Sequence, residues 1–323
     1  MPNLFPQFQK FDDLLKGAGK VLIASHQNPD PDAVASVLAL HADFKKRNLE
    51  SMPYLPDLAP SNLNFLPGFS EIKNEINSFE PDLLVCVDYG DFKRLRLPQR
   101  LASQDEQHIV TIDHHLEGDQ RGGVKILEPE FSSTTEIIYH WLNYKKTEID
   151  GDMAHCLLAG ILSDSGGFCH VSTSASTLNI VAELLSKGIS LAEVRGKLSS
   201  FNKPLALSRV WGQILSRIKI DQRTNLAYSW LNIDDFQKCQ VRLTDFDGIT
   251  NLISTGSSLS LGLFLIEYEK GKIKGSLRSE PKGGKNVAEI VKPLGGGGHA
   301  YAAGFQQEGT IEIVLKKVLN LIE

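Results

Sequence analysis

Apolar and polar positions fall in blocks along the chain. Val21-Leu22-Ile23-Ala24 is a continuous apolar run, followed by the polar stretch His26-Gln27-Asn28-Pro29-Asp30-Pro31-Asp32 and an amphipathic segment from Asp32 to Arg47. This predicts a strand over 20–25, a loop and a helix from Ala33 to about Arg47, with a short helix over 8–15 ahead of them. A further strand is expected near 51–55, before a Pro-rich connector that turns at Leu66-Pro67-Gly68-Phe69. Asp82 to Asp88 and His108 to His115 are each an apolar run that ends in charged residues. Continuous apolar strands alternating with helices imply an α/β fold whose parallel sheet is covered on both faces. Groups just past the carboxyl ends of such strands converge on one crevice. His26, Asp30, Asp32, Asp88, Asp113, His114 and His115 are therefore expected to meet.

Farther on, a helical pattern over 155–162 precedes Ser163-Asp164-Ser165-Gly166-Gly167-Phe168, where Asp164 is another carboxylate at an element end. The alternation then stops. Helices are expected over 191–201 and 206–218, with a kink at Lys203-Pro204 between two lobes. The second lobe has strand-like runs at 226–230 and 260–266, and the turn Glu269-Lys270-Gly271-Lys272 leads into 273–278 as a hairpin. Arg278-Ser279 and the run Gly295-Gly296-Gly297-Gly298-His299 follow, with Ala302-Ala303-Gly304 closing the segment. Consecutive glycines cost folding entropy and supply no packing side chain, so the run is read as exposed N–H groups able to surround an anion, against the alternative of a plain surface turn.

Composition narrows the class. The 323 residues allow about two domains, and 41% hydrophobic residues supply ordinary cores. A net charge of -5 gives no global drive toward polyanions. A local basic face is expected within 270–292, with seven Lys or Arg against two Glu. The four cysteines, Cys86, Cys156, Cys169 and Cys239, lack metal-site spacing and read as reduced thiols of a cytoplasmic protein. Neither a signal peptide nor a membrane span is expected. An imidazole and two carboxylates within His26–Asp32 suit a hard-metal site, and the same residues suit an Asx-turn with an N-cap Asp.

Taken in order, the motifs resemble those of the DHH phosphoesterase superfamily, in the group with a DHHA1 C-terminal domain. His26 to Asp32 matches its His-x-x-Pro-Asp-x-Asp motif, Asp88 its lone Asp after a strand, and Asp113-His114-His115 the naming triplet. Asp164-Ser165-Gly166 stands where the family has Asp-Thr-Gly, and Gly296 to His299 with Ala303-Gly304 matches the DHHA1 signature, preceded by Arg278-Ser279. The resemblance implies a DHH catalytic metal-binding domain (1–189) with a mainly parallel sheet flanked by helices, a helical linker (190–220) and a smaller α/β DHHA1 substrate-binding domain (221–323), with the active site in the interdomain cleft. It also implies two divalent ions, Mn²⁺ foremost with Mg²⁺ or Co²⁺ as alternatives. One would take His26, Asp30 and Asp88, the other Asp32, Asp88, His114 and Asp164. His115 would face the phosphate and Asp113 would orient the His pair. Arg278, Ser279, Gly296, Gly297, Gly298 and His299 would hold substrate.

Four carboxylates in one crevice repel unless cations neutralise them, and two such ions suit phosphoester hydrolysis. Size and layout are most similar to the oligoribonuclease (nanoRNase) and pAp phosphatase group, which implies short oligonucleotides or nucleotide phosphates as substrates. No aromatic-lined track for a long nucleic acid is evident. A cyclic-di-AMP or linear dinucleotide phosphodiesterase is the alternative within the class, and a non-catalytic nucleotide-binding regulator the alternative outside it. A homodimer is compatible with this reading.

Overall fold

The computed structural model describes residues 4–115, 118–198, 205–238, 243–246, 248–256, 259–279 and 284–322. Two compact units divide the chain, Met1–Asn202 and Lys203–Glu323. The first runs α1 (Phe5–Gly17), β1 (Lys20–Ala24), α2 (Pro31–Lys46), β2 (Glu50–Tyr54), β3 (Leu83–Val87), α3 (Gln99–Ala102), β4 (Ile109–Asp113), β5 (Val124–Leu127), α4 (Thr134–Tyr144), α5 (Gly151–Asp164), α6 (Ala175–Leu185) and α7 (Leu191–Leu198). Its sheet has the order β2-β1-β3-β4-β5, with every pairing parallel.

The unbroken apolar strands arise because both faces of this sheet are buried. Val21, Ile23, Leu83, Val85 and Val87 point into a core shared with α1, α2, α4 and α5, while Leu22, Ala24, Leu84 and Cys86 point into a second core with Tyr89, Phe92, Leu95 and Leu101. The two coverings differ. Long helices pack on the first face, whereas short 3-10 turns and α3 close the second. The expected first helix extends by about a turn at its N-terminus, and α2 begins at Pro31, where proline's fixed φ and missing N–H suit a first helical turn. Helix α4, strand β5 and helix α6 have no counterpart in the sequence reading. Ser132-Ser133-Thr134-Thr135-Glu136 has no apolar position to mark a buried element, yet all five residues are buried and Glu136 Oε2 accepts from Ser132 N and Oγ at the start of α4. Helix α7 packs Val194 into the first core; the residues beyond 198 in the expected helix, and the Lys203-Pro204 kink, lie outside the described residues.

The second unit contains α8 (Leu205–Ser216), β6 (Lys219–Asp221), β7 (Leu226–Leu231), α9 (Ile233–Lys238), α10 (Ile249–Gly256), β8 (Leu261–Glu269), β9 (Lys272–Ser279), α11 (Val287–Val291), β10 (Gly297–His299), β11 (Ala302–Glu308) and α12 (Ile311–Ile322). Its six strands are ordered β10-β11-β9-β8-β7-β6, antiparallel except for the β7–β8 pair. One face carries Leu263, Leu277 and Phe305 against α11 and α12. The other carries Ala227, Phe264 and Ile266 against α8 and α10.

The glycine run corrects an expectation. Gly297–His299 pair with β11 as a strand, and the N–H groups of Gly295 and Gly296 already donate to Lys292 O and Val291 O, both at 3.0 Å. Packing does explain two of these glycines. A Cβ on Gly296 would lie 2.7 Å from Phe305 Cβ, and one on Gly298 2.7 Å from Ala303 Cα, with Gly298 also at a φ of +145°. Cys86 and Cys156 are buried free thiols and Cys169 is an exposed one; Cys239 lies outside the described residues. Among the described residues, no helix is long and apolar enough to cross a membrane.

Candidate metal centre

Five chain segments deliver polar side chains to the carboxyl edge of the parallel sheet. His26 follows β1, Asp88 follows β3, Asp113 ends β4 with His114 and His115 after it, and Asp164 ends α5. Asp30 and Asp32 stand at the start of α2. Asp30 is the N-cap, its Oδ1 accepting from Ala33 N at 3.0 Å, while its Oδ2 lies 3.8 Å from His26 Nε2. The N-cap and metal readings of this loop are thus compatible, one oxygen serving each.

His26 Nδ1 lies 2.7 Å from Gln27 O. Gln27 O only accepts, while Arg94 Nη2, 3.0 Å from the same nitrogen, only donates, so the two cannot both bond it; with the proton on Nδ1 and directed at Gln27 O, Nε2 keeps its lone pair on the side of Asp30. Asp88 is buried at a φ of +50°, an uncommon backbone state for a non-glycine residue and one that concentrates at functional sites. The turn is fixed from behind. Tyr89 N and Gly90 N donate to Asp113 Oδ2 at 3.0 and 2.8 Å, while Asp113 Oδ1 accepts from His115 N at 3.0 Å and from its Nδ1 at 2.7 Å. Burial would raise the Asp113 carboxyl, yet His115 and the Gly90 N–H hold it below its ordinary range. His115 consequently presents Nε2, and its side chain is 41% exposed.

Asp32 is fully buried. The first turn of α4 grips it: Thr134 N donates to Oδ2 at 2.7 Å, and Thr135 N and Oγ1 donate to Oδ1 at 3.2 and 2.7 Å. Thr134 Oγ1 also donates to Asp88 Oδ1 at 3.1 Å. Two helix N-termini, of α2 and α4, therefore favour negative charge here. Even so, burial and then the Asp164 charge push the Asp32 carboxyl up to about 7, and burial with the Asp32 charge raises Asp88 well above the usual carboxylate range. Burial would lower His114, but Asp164 and Asp32 push it up to about 9.

His114 Nε2 carries the test of metal fit. It is buried without a hydrogen-bond partner, 3.1 Å from Asp164 Oδ2 and 3.7 Å from Asp88 Oδ1, too poorly aligned to bond either. A buried nitrogen facing crowded carboxylates is a ligand arrangement, and a divalent cation would relieve the crowding and take the place of the proton that those carboxylates hold on the ring. The donor atoms of His26, Asp30 and Asp88 lie within 4.8 Å of one another, as do those of Asp32, His114 and Asp164. The set Asp88, His114 and His115 satisfies the same distance, but His115 Nδ1 is committed to Asp113. All donors are N or O, which suits Mn²⁺ or Mg²⁺ and fits the residues present.

Residues 20–161 match the DHH family, N-terminal domain, and residues 251–323 match the DHHA1 domain. The chain belongs to the DHH–DHHA1 phosphoesterases. Membership makes it a phosphoric ester hydrolase of a metal-dependent family. The chain is 29% identical to the bifunctional oligoribonuclease and PAP phosphatase NrnA of Thermus thermophilus, over 99% of this chain and 95% of that protein. It is 25% identical to the cyclic-di-AMP phosphodiesterase GdpP of Bacillus subtilis, over 96% of this chain and 48% of that protein. The crystal structure of an exopolyphosphatase-related protein from Bacteroides fragilis matches with a TM-score of 0.86 at 26% identity, covering 98% and 95% of the two chains.

Several residues of this DHH site escaped the sequence reading. Arg94 lies in a 3-10 turn with Nη2 3.0 Å from His26 Nδ1, and it donates Nη1 to Tyr89 O at 3.1 Å. Thr134 and Thr135 were hidden in the turn-like hydroxyl run. Gly160 sits within α5 where any Cβ would collide with Asp32 and Thr135, and an isolated glycine inside a helical pattern was its available signal.

The expected substrate-binding residues lie in the second unit. Strand register puts His299, Ala302 and Arg278 in one row across β10, β11 and β9, on one face. Ser279 is the next residue along β9, so its side chain turns to the other face, where it is buried with Oγ unpartnered. Gly297 shares the face of His299, while Gly298 shares that of Ala303. Arg278 Nε donates to Asn251 Oδ1 at 3.1 Å.

Proposed function

We propose that this protein is a manganese-dependent phosphoesterase that hydrolyses short oligonucleotides, pAp or both. The observation that carries the reading is the pair of three-ligand sets, His26 with Asp30 and Asp88 and Asp32 with His114 and Asp164, together with the grouping of Asp88 with His114. It is supported by likeness along nearly the whole chain to a protein named as an oligoribonuclease and PAP phosphatase.

In this reading His26, Asp30 and Asp88 hold one ion, and Asp32, Asp88, His114 and Asp164 hold the other. Ions so placed supply activation of water and neutralisation of phosphoryl charge. The chain's own residues do the rest. Asp113 fixes the His115 ring through Nδ1–H, so that in the imidazolium form Nε2–H donates a hydrogen bond to a phosphoryl oxygen and can pass its proton to the leaving oxygen. Thr134 and Thr135 hold Asp88 and Asp32 in place so that the carboxylates need not reorganise. Arg278 clamps a substrate phosphate through its guanidinium.

Hydrolysis of a panel with Mn²⁺ tests the proposal: pAp, pApA, a five-nucleotide RNA, cyclic di-AMP and a long DNA strand. Release of mononucleotides from the short RNAs, or of phosphate from pAp, with long DNA untouched is expected. Turnover of long DNA alone would overturn it. The likeness to GdpP favours cyclic di-AMP as the second reading, and preferential cleavage of that substrate would select it.

A further inference from the structure

After β3 the chain carries three basic residues close together, Lys93, Arg94 and Arg96. Lys93 is exposed, and Arg96 pairs with Asp57 Oδ1 at 3.2 Å. Arg94 instead turns in toward the metal centre and is partly buried, its Nη2 3.0 Å from His26 Nδ1. The main chain sets its place, since Arg94 N donates to Asp91 O at 2.9 Å and Arg94 O accepts from Gln27 N at 2.8 Å. The 3-10 turn after β3 is thereby tied to the loop that carries His26.

A guanidinium has five N–H donors and no acceptor. Nη1 gives one to Tyr89 O at 3.1 Å, while Nη2 is directed at a His26 nitrogen whose own proton goes to Gln27 O. Nη2 therefore faces an N–H and not a lone pair. Among the described residues Arg94 also makes no ion pair, although Asp30 lies 3.8 Å from the far nitrogen of the same ring. A brace for Tyr89 O alone needs one neutral donor. A partly buried cation with idle donors is arranged for an anion that comes from outside.

The opening for that anion lies beside Gly90. This residue has a φ of +63°, and its N–H is held by Asp113 Oδ2, so its Cα is fixed in the same turn as Asp88. A Cβ on Gly90 would lie 3.6 Å from Arg94 Nη1 and 3.8 Å from Cγ and Cδ2 of His115. These are ordinary contact distances. Room for one heavy atom thus separates the guanidinium from the imidazole, and glycine puts no atom there. Cδ2 is bonded to Nε2, so the His115 nitrogen that Asp113 does not engage borders the same gap.

We propose that Arg94 is a phosphate-contacting residue, its guanidinium and His115 holding one non-bridging phosphoryl oxygen across the gap at Gly90. The inference rests on the proposed phosphoesterase centre and adds to it a fixed cation from the first unit itself. Negative charge that grows on the oxygen during the reaction is met by donors already in place, which is the condition for electrostatic stabilisation. The contact is to the phosphoryl group and reads neither base nor sugar.

The test is a calorimetric titration of the full chain, first with Mn²⁺ and then, loaded with Mn²⁺, with inorganic phosphate, for the wild type, Arg94→Gln and Arg94→Lys. Glutamine keeps a neutral donor and removes the charge. Arg94→Gln is expected to lose about tenfold or more in phosphate affinity, the scale of a lost charge-assisted pair. It should bind Mn²⁺ as tightly as the wild type or more tightly, because a neighbouring like charge is gone. Arg94→Lys, a point charge without the planar fork, should fall between the two in phosphate affinity. Should Arg94→Gln fail to fold by circular dichroism, a several-fold loss in Arg94→Lys carries the result. Full phosphate affinity in the folded variant, Mn²⁺ affinity falling in step with that for phosphate, which marks a brace for His26, or no phosphate binding by the loaded wild type would each overturn the contact. Because no turnover is read, a chain that binds phosphate through Arg94 yet hydrolyses none of the panel substrates would reject the proposed reaction and leave the contact standing.

Discussion

The two units handle anionic chemistry in opposite ways. The first buries Asp32, Asp88 and Asp113 and anchors them on backbone N–H groups and threonine hydroxyls, so that its charge is fixed before any ligand arrives. Among its described residues the second buries none of its cations; Lys274 and Arg278 are partly exposed and His299 is exposed, on a floor of Gly297, Ala302, Gly304 and Ser276. Buried like charges are tolerable when a metal completes them, and rigidity then fixes the spacing of the ligands. Exposed cations over small residues cost little to maintain and conform to a larger, more variable anion. In the proposed function the contrast separates a centre for chemistry from a surface for holding.

Asp88→Asn breaks the contrast most severely. Removing the carboxylate that the proposed sites share is expected to lower kcat on the order of a thousandfold or more, while the metal-free protein keeps or gains thermal stability because a crowded carboxyl is gone. Turnover measured beside a melting curve without metal checks both halves. Arg278→Ala is expected to raise KM by roughly 10- to 100-fold, the scale of a lost charge-assisted pair, with the Mn²⁺ affinity of the chain unchanged. Steady-state kinetics together with a metal titration would expose any leakage between the two roles.

These two expectations sit at positions that the sequence displayed openly. Asp88 is legible because a strand buried on both faces reads as an unbroken apolar run, and the residue that ends it stands out. Arg278 is legible as the charged end of an alternating strand. Arg94 is not, because its place 68 positions from His26 is set by a 3-10 turn with no local signature. Helix α4 was lost for another reason: five consecutive hydroxyl and acidic residues look solvated until Asp32, Asp88 and Glu136 are available to satisfy them. In the glycine run the sequence carried two meanings at once. Gly296 and Gly298 serve close packing, whereas Gly297 is exposed with open space about it.

Smaller perturbations sharpen the distinction within the first unit. Gly160→Ala pushes a methyl into Asp32 and Thr135, and overpacking of this kind costs about 1–3 kcal/mol. A lowered Tm with weakened Mn²⁺ binding is expected, whereas weakened binding at an unchanged Tm would show that the carboxylate moves without strain. Thr134→Val removes one hydroxyl from Asp88 at nearly constant shape and is expected to cost about 1 kcal/mol, seen as a several-fold loss of Mn²⁺ affinity.

The central claim is that the loop from His26 to Asp32 divides its ligands between two ions that share Asp88. Counting Mn²⁺ bound per chain by calorimetric titration, for the wild type, Asp30→Asn and Asp164→Asn, tests it most directly. Two ions in the wild type and one in each variant are predicted. A single ion in the wild type, or two retained in either variant, would contradict the divided site.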